Sequence, residues 1–176
     1  MNTNNQHAML ETIADRLAAM VRDRLSGVEA ENAARFVSHY YARVPESALE
    51  QQELSDLYGA ALSHWRFARR RAPGETRIRV YNPVLEQDGW ECPHTVLELV
   101  TDNMPFLVDT VRMELNRQGA QVLLVVHPIY HLQRDEEGAV QELFGPDADT
   151  DGIGDVCDSD IYGDSALPQA ILHLLL

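Results

Sequence analysis

The order of hydrophobic periodicities along the chain predicts an α+β protein, a helical N-terminal bundle followed by an antiparallel sheet with a helix of its own. Three observations carry this. Apolar residues recur at helical spacing up to Arg71, and from Arg77 onward alternation of period two and short wholly apolar runs take over. Ala72-Pro73-Gly74 separates the two regimes as a strong breaker, giving a helical segment at 1–74 and an α/β region at 75–176. The 176 residues are 45% hydrophobic and 24% charged, the composition of a folded chain long enough to bury a core without disulfide staples.

The elements follow in order. Leu10, Ile13, Leu17, Met20, Val21 and Leu25 mark an amphipathic helix over Ala8 to Leu25, stopped at Ser26-Gly27. A second helix begins near Glu29 and shows Ala33, Phe36, Val37, Tyr40, Tyr41 and Val44 on one face until Pro45 ends it. The third carries Leu54, Leu57, Tyr58, Ala61, Leu62, Trp65 and Ala68, and Arg69, Arg70 and Arg71 complement the negative end of its dipole. The aromatic residues Phe36, Tyr40, Tyr41, Tyr58 and Trp65 fall at helical spacing and form the expected core of the bundle.

Arg77 to Tyr81 alternates as a half-buried strand, closed by Asn82-Pro83, and His94 to Val100 is apolar enough to be covered on both faces. Asp102-Asn103-Met104-Pro105 is a turn whose proline opens the next helix, with Phe106, Leu107, Val111 and Leu115 on its inner face and Gly119 at its end. Val122 to Tyr130 is a long strand in which Pro128 requires a bulge or an edge. Asp135-Glu-Glu-Gly138 has hairpin chemistry, with a return strand at Ala139 to Phe144. The closing run Ile171 to Leu176 reads as a core element, so the chain is expected to continue past it.

All 14 basic residues are arginine, against 28 acidic ones. Residues 1–134 hold every arginine and 17 acids, net −3, whereas residues 135–176 hold 11 acids and no base, net −11. This balance excludes nucleic acid and anionic membrane as natural partners. No apolar run approaches the roughly 20 residues that span a bilayer, and the N-terminus lacks the basic-then-apolar order of a signal peptide. A cytoplasmic protein with Cys92 and Cys157 as reduced thiols is expected.

The blocks YYARVP, DLYGAALSHWRFARRR, DNMPFLVDTVRMELNRQG and VLLVVHPIY, in that order over residues 36–134, resemble the N-terminal region of the large bacterial NAD-dependent glutamate dehydrogenases. The resemblance implies an ACT-like module, a ferredoxin-like βαββαβ unit that takes an amino acid near its first strand-to-helix turn. Residues 94–134 would supply the first strand, helix and second strand, with the second helix and last strand beyond Leu176, so the sheet is incomplete. It further implies a parent that converts L-glutamate and NAD to 2-oxoglutarate, ammonia and NADH, with a homo-oligomer and the remainder of the dehydrogenase chain as partners. The effector turn would be Asp102, Asn103, Met104, Pro105 and Phe106. Where the family turn resembles D-x-P-G, this chain has Phe106 after Pro105. No GxGxxG is present in the 176 residues, so the fragment is expected to hold no NAD site and to be no enzyme by itself.

The acidic loop at 145–164 reads DADTDGIGDVCD over 147–158. Asp147, Asp149, Asp151, Asp155 and Asp158 stand at calcium-loop positions 1, 3, 5, 9 and 12, Gly152 at 6 and the Ile153 carbonyl at 7. It resembles a thrombospondin type-3 calcium loop, and the alternative reading of the chain is a calcium-binding interaction module. The bland reading of the same aspartates is a solvated acidic linker. His127 and His131 read as structural histidines rather than metal ligands, and Cys92 has no basic neighbour to activate it. Asp102 is read as a helix-capping acid and Asp109 as an exposed first-turn acid. An anion site at Arg69 to Arg71 and a small stand-alone enzyme are the weakest alternatives.

Overall fold

In the computed structural model, which describes residues 12–50, 52–145 and 166–176, the helical half opens with α1 (Ile13–Arg24). Thr12 caps it reciprocally: its hydroxyl accepts the Asp15 N–H, and the Asp15 carboxylate accepts the Thr12 N–H, each at 3.1 Å. The part of the expected helix before Thr12 lies outside the described residues. α2 (Val28–Tyr40) ends four residues short of Val44, and the following turn belongs to a separate one-turn helix, α3 (Glu46–Leu49), with Pro45 at its start. α4 (Leu54–Ala68) completes the bundle.

All five aromatic residues assigned to the core are buried. Phe36 also reaches the sheet, stacking on Tyr130 with ring centroids 4.7 Å apart, while the Tyr130 hydroxyl donates to the Phe36 carbonyl at 2.7 Å. α4 stops before the arginine run because the chain is drawn into strand-like pairing instead. The Val140 N–H donates to the Arg69 carbonyl and the Arg71 N–H to the Gly138 carbonyl, both at 2.9 Å. Gly138 has φ 78°, and a Cβ there would lie 2.3 Å from the Arg71 carbonyl oxygen, so no other residue fits this crossing.

Six strands form one open sheet: β1 (Arg77–Tyr81), β2 (Val96–Asp102), β3 (Leu124–Val126), β4 (Ile129–Arg134), β5 (Val140–Gly145) and β6 (Ala166–Leu175). The short α5 (Leu85–Asp88) lies between β1 and β2, and α6 (Leu107–Arg117) between β2 and β3. The order is β1-β2-β6-β4-β5 with β3 also on β6, and every pair is antiparallel. β3 and β4 keep one register against β6, from Val126 opposite His173 to Ile129 opposite Ala170. Pro128 interrupts this single strand without a bulge: its carbonyl still accepts the Ile171 N–H at 3.1 Å, but it has no N–H to return. The stretch before it has no strand on its other side among the described residues, which is the edge position expected for a proline.

The sheet is covered unequally. Leu97, Leu99, Leu172 and Leu174 pack under Leu107, Val108, Val111 and Leu115 of α6. Val100, Ile171, Val126, Tyr130 and Leu132 face the bundle and share one core with Phe36, Val37 and Trp65. α6 does not cover the whole of this face, and Ile78 and Val80 of β1 remain 58% and 59% exposed. The β5 edge, in contrast, is closed by side chains of α2. Asn32 donates to the Gln141 carbonyl at 3.0 Å and accepts from the Leu143 N–H at 3.3 Å, and Arg35 donates to the Leu143 carbonyl at 2.8 Å.

A loop comes close to α4 at Gly59, where an added Cβ would sit 2.2 Å from Cβ of the buried Trp90. Gly59→Ala improves helix propensity but forces α4 off Trp90. We expect a net loss of about 2 kcal/mol in chemical denaturation, a stability equal to or above that of the parent chain being the contrary result.

Candidate functional site

The strand-to-helix turn lies at the end of β2. Asp102 is the last residue of the strand, and Asn103, Met104, Pro105 and Phe106 are exposed. Phe106 adopts φ 62° and ψ 12° and is the one described non-glycine residue at positive φ. A left-handed conformation costs a residue with a Cβ roughly 1–2 kcal/mol. The helix accordingly opens at Leu107, two residues later than a start at Pro105, with Phe106 as its N-cap and no side-chain cap. Asp102 therefore does not cap α6; Asp109 does lie exposed in the first turn, as its position predicted.

The Asp102 carboxylate instead accepts a hydrogen bond from Nη2 of Arg71, whose side chain is only 3% exposed. Arg71 is thus no solubilising residue at a helix end. It fills the space between the end of α4 and β2, with Nη1 on the Glu75 carbonyl. Arg134 lies beside it, donating to the Ala68 carbonyl and to Gln169 Oε1, both at 2.8 Å. Burial and the neighbouring charges of Arg71 and Arg77 push the Arg134 guanidinium down to about 10. Arg69 is different, an exposed residue paired with Glu29.

A second polar group sits deeper on the same strand. Arg79, Glu98 and His173 occupy facing positions on β1, β2 and β6, and His64 of α4 comes down on the row from the bundle. The Glu98 carboxylate is fully buried; it accepts from Arg79 Nε at 2.6 Å and from the Tyr81 hydroxyl at 3.0 Å. His64 Nδ1 bonds the Tyr40 hydroxyl at 2.8 Å. Burial drives the His64 imidazole down to about 4 against the pull of Glu98. Burial opposes ionisation of Glu98, but His64, His173 and Arg79 outweigh it and hold the carboxyl down to about 2.

Of the other predicted residues, Asp147, Asp149, Asp151, Ile153, Asp155 and Asp158 lie outside the described residues. His127 lies between β3 and β4, and burial and Arg43 push its imidazole below the usual range. Cys92 donates to the His94 carbonyl at 3.3 Å, and burial raises its thiol, so nothing activates it as a nucleophile. Sequence reasoning missed His64, Glu98 and His173, and it read Arg71 as a complement to the helix dipole. A signal existed for two of them: Glu98 and His173 are the polar letters inside the most apolar runs, HTVLELV and ILHLLL.

Comparison with known proteins agrees with this architecture. The family described as glutamate dehydrogenase, ACT1 domain, matches residues 36–171. The chain belongs to this family. It is 37% identical over 139 residues to the NAD-specific glutamate dehydrogenase of Halomonas elongata, covering 79% of this chain and 8% of that protein. It is also 37% identical over 108 residues to the NAD-specific glutamate dehydrogenase of Pseudomonas aeruginosa, covering 61% of this chain and 7% of that protein. The chain thus spans under a tenth of the length of these relatives. No solved structure matches. As an ACT1 domain it supplies an ACT-like α+β fold.

The buried ACT1 network makes the fold acid-sensitive. Below pH 6.5 an unfolded His64 takes up a proton that the folded imidazole refuses until about pH 4, so stability falls as pH drops through this window, by about 3 kcal/mol. Below about 4.5 the Glu98 carboxyl adds to the fall, because the unfolded chain protonates it first. Denaturation midpoints measured from pH 7 to pH 4 with a chelator present should show this slope, and His64→Phe should flatten it above pH 4.5. A slope unchanged by the substitution would locate the acid sensitivity elsewhere.

Proposed function

We propose that this chain is a regulatory and assembly portion of an NAD-specific glutamate dehydrogenase, and that the turn from Asp102 to Phe106 is its amino-acid effector site. The observation that carries the reading is Phe106. The backbone holds a left-handed conformation at the strand-to-helix turn although the residue there is not glycine, and such strain persists where surrounding structure or function requires it.

The chemistry of the turn suits an amino-acid zwitterion. α6 begins without a side-chain cap, so its first N–H groups and positive dipole end are available to a carboxylate, and Asp102, four residues before the N-cap, would offer its carboxylate to an ammonium group in exchange for Arg71. The parent would oxidise L-glutamate to 2-oxoglutarate and ammonia with NAD bound elsewhere, in the cytoplasm. The rest of that chain and further copies of it would be the partners of this portion. Residues 1–74 would serve as the helical segment and 75–176 as the ACT-like region. Among the described residues no helix is long and apolar enough to cross a membrane.

Calorimetric titration of the amino acids into the chain tests this. Heat is expected for at least one of them, reduced tenfold or more in affinity by Asp102→Asn and retained in Phe106→Gly, which relieves the left-handed strain. An absence of heat here and in the parent dehydrogenase would remove the effector role and leave assembly.

The spacing of Asp147, Asp149, Asp151, Asp155 and Asp158 supports a second reading, calcium binding at 147–158. Millimolar calcium should then raise the melting temperature, and the double substitution Asp149→Asn with Asp151→Asn should abolish the rise.

A further inference from the structure

We infer that His64, Glu98 and His173 form a binding site for a single borderline transition-metal dication, with zinc as the natural probe, clasping the helical bundle to the centre of the sheet. One ligand atom from each residue lies within 4.8 Å of the others, and all three side chains are buried. Two imidazoles and one carboxylate are a donor set that zinc accepts, with bonds of about 2.0–2.2 Å.

Unpaired atoms point to a missing partner. His64 Nδ1 is engaged by the Tyr40 hydroxyl, and Nε2 of the same ring is buried without a hydrogen bond. His173 Nδ1 is likewise buried and unbonded. It stands 3.6 Å from Glu98 Oε1, too far for a hydrogen bond. Two ligands of one tetrahedral cation with such bonds stand roughly 3.3 Å apart, so closure onto a metal draws together three atoms that now lie within 4.8 Å of one another. Buried polar atoms in folded proteins nearly always have a hydrogen-bond partner, and these two imidazole nitrogens, which have none and of which His173 Nδ1 makes only a 3.6 Å ion-pair contact with Glu98, share the same candidate.

The surroundings already provide outer-shell support. Tyr40 fixes the ring of His64, and Tyr81 and Arg79 fix the carboxylate, Arg79 being held in turn by Ser63 Oγ at 2.8 Å. Arg79 also sets the selectivity. It neutralises the single carboxylate, so affinity must come from the imidazole bonds. This favours zinc, cobalt, nickel or copper over calcium or magnesium, which want several oxygens. The ligands come from α4, β2 and β6, whose sequence positions are far apart, so the cation would bind the folded state selectively and load as the chain folds.

The experiment is to refold the full chain with cobalt(II) or zinc(II), remove free metal, and measure bound metal, the visible spectrum and the melting temperature. One equivalent, intense tetrahedral cobalt bands and a rise of several degrees with zinc but none with calcium are expected. His173→Gln should lower retained metal at least tenfold, whereas Asp149→Asn with Asp151→Asn should leave the cobalt bands intact. Should His173→Gln fail to fold, zinc X-ray absorption on the unsubstituted chain decides, with two imidazoles in the first coordination sphere expected. No retained metal, a sphere of oxygens alone, or bands insensitive to His173→Gln in a folded chain would overturn the site and leave a bridging water as the partner of the two rings.

Discussion

Seven consecutive pairings between β2 and β6, from Val96 opposite Leu175 to Asp102 opposite Gln169, are the interaction on which the rest of this molecule depends. They place the two most apolar segments side by side at the centre of the sheet. One face then presents Leu97, Leu99, Leu172 and Leu174 to α6, and the other presents Val100 and Ile171 to the bundle. Without this pairing α6 has no floor, and β1 and β2 lose their link to the rest of the sheet. The contact is also long in sequence, which makes its formation a costly closure that later contacts must repay.

A charged residue at the centre of such a strand is a constraint of a different kind. Glu98 cannot be left in the core unpaired, and every element around it contributes to its solution: Arg79 and Tyr81 from β1, His173 from β6 and His64 from α4. A well-packed apolar residue would often serve stability as well as a buried ion pair. What the polar row adds is register. A slip of one residue between β1, β2 and β6 would separate Arg79, Glu98 and His173, and it would turn every leucine of β2 and β6 to the wrong face.

Local physics made part of this legible in the sequence. The helical faces of α1, α2 and α4, the alternation of β1, the hairpin at Asp135 to Gly138 and the edge position of Pro128 all follow from residues that interact with near neighbours. The misreadings share the opposite cause. α4 gives up its last turn because Gly138, some seventy residues on, accepts the Arg71 N–H, and Asp102 leaves its expected cap because a buried arginine claims it. The residue types of the candidate turn were readable, but the left-handed backbone of Phe106 was not, since nothing in Pro105-Phe106 prefers positive φ. By spacing alone His64 is one more polar position on a helix; only the fold brings it over Glu98.

These long-range contacts also give the turn a means of being felt elsewhere. Glu98, Val100 and Asp102 alternate along β2 and share the face turned to the bundle, so the strand is fastened to the region of α4 at two points. One is Glu98, with His64 above it, and the other is Asp102, held by Arg71 just past the end of α4. The first is buried and surrounded by four polar groups. The second is half exposed at the mouth of the turn. A ligand that drew the Asp102 carboxylate toward itself would compete with Arg71 and loosen the outer fastening while the inner one held. The differential interaction that any allosteric ligand requires would then be the exchange of one partner of Asp102 for another. Arg71 has no second carboxylate in the described contacts to turn to, so its buried charge would have to move with the chain that carries it. That chain is the segment from Arg69 to Glu75 joining α4 to β1. On the effector reading proposed above, transmission from turn to bundle would run through the burial of a single guanidinium.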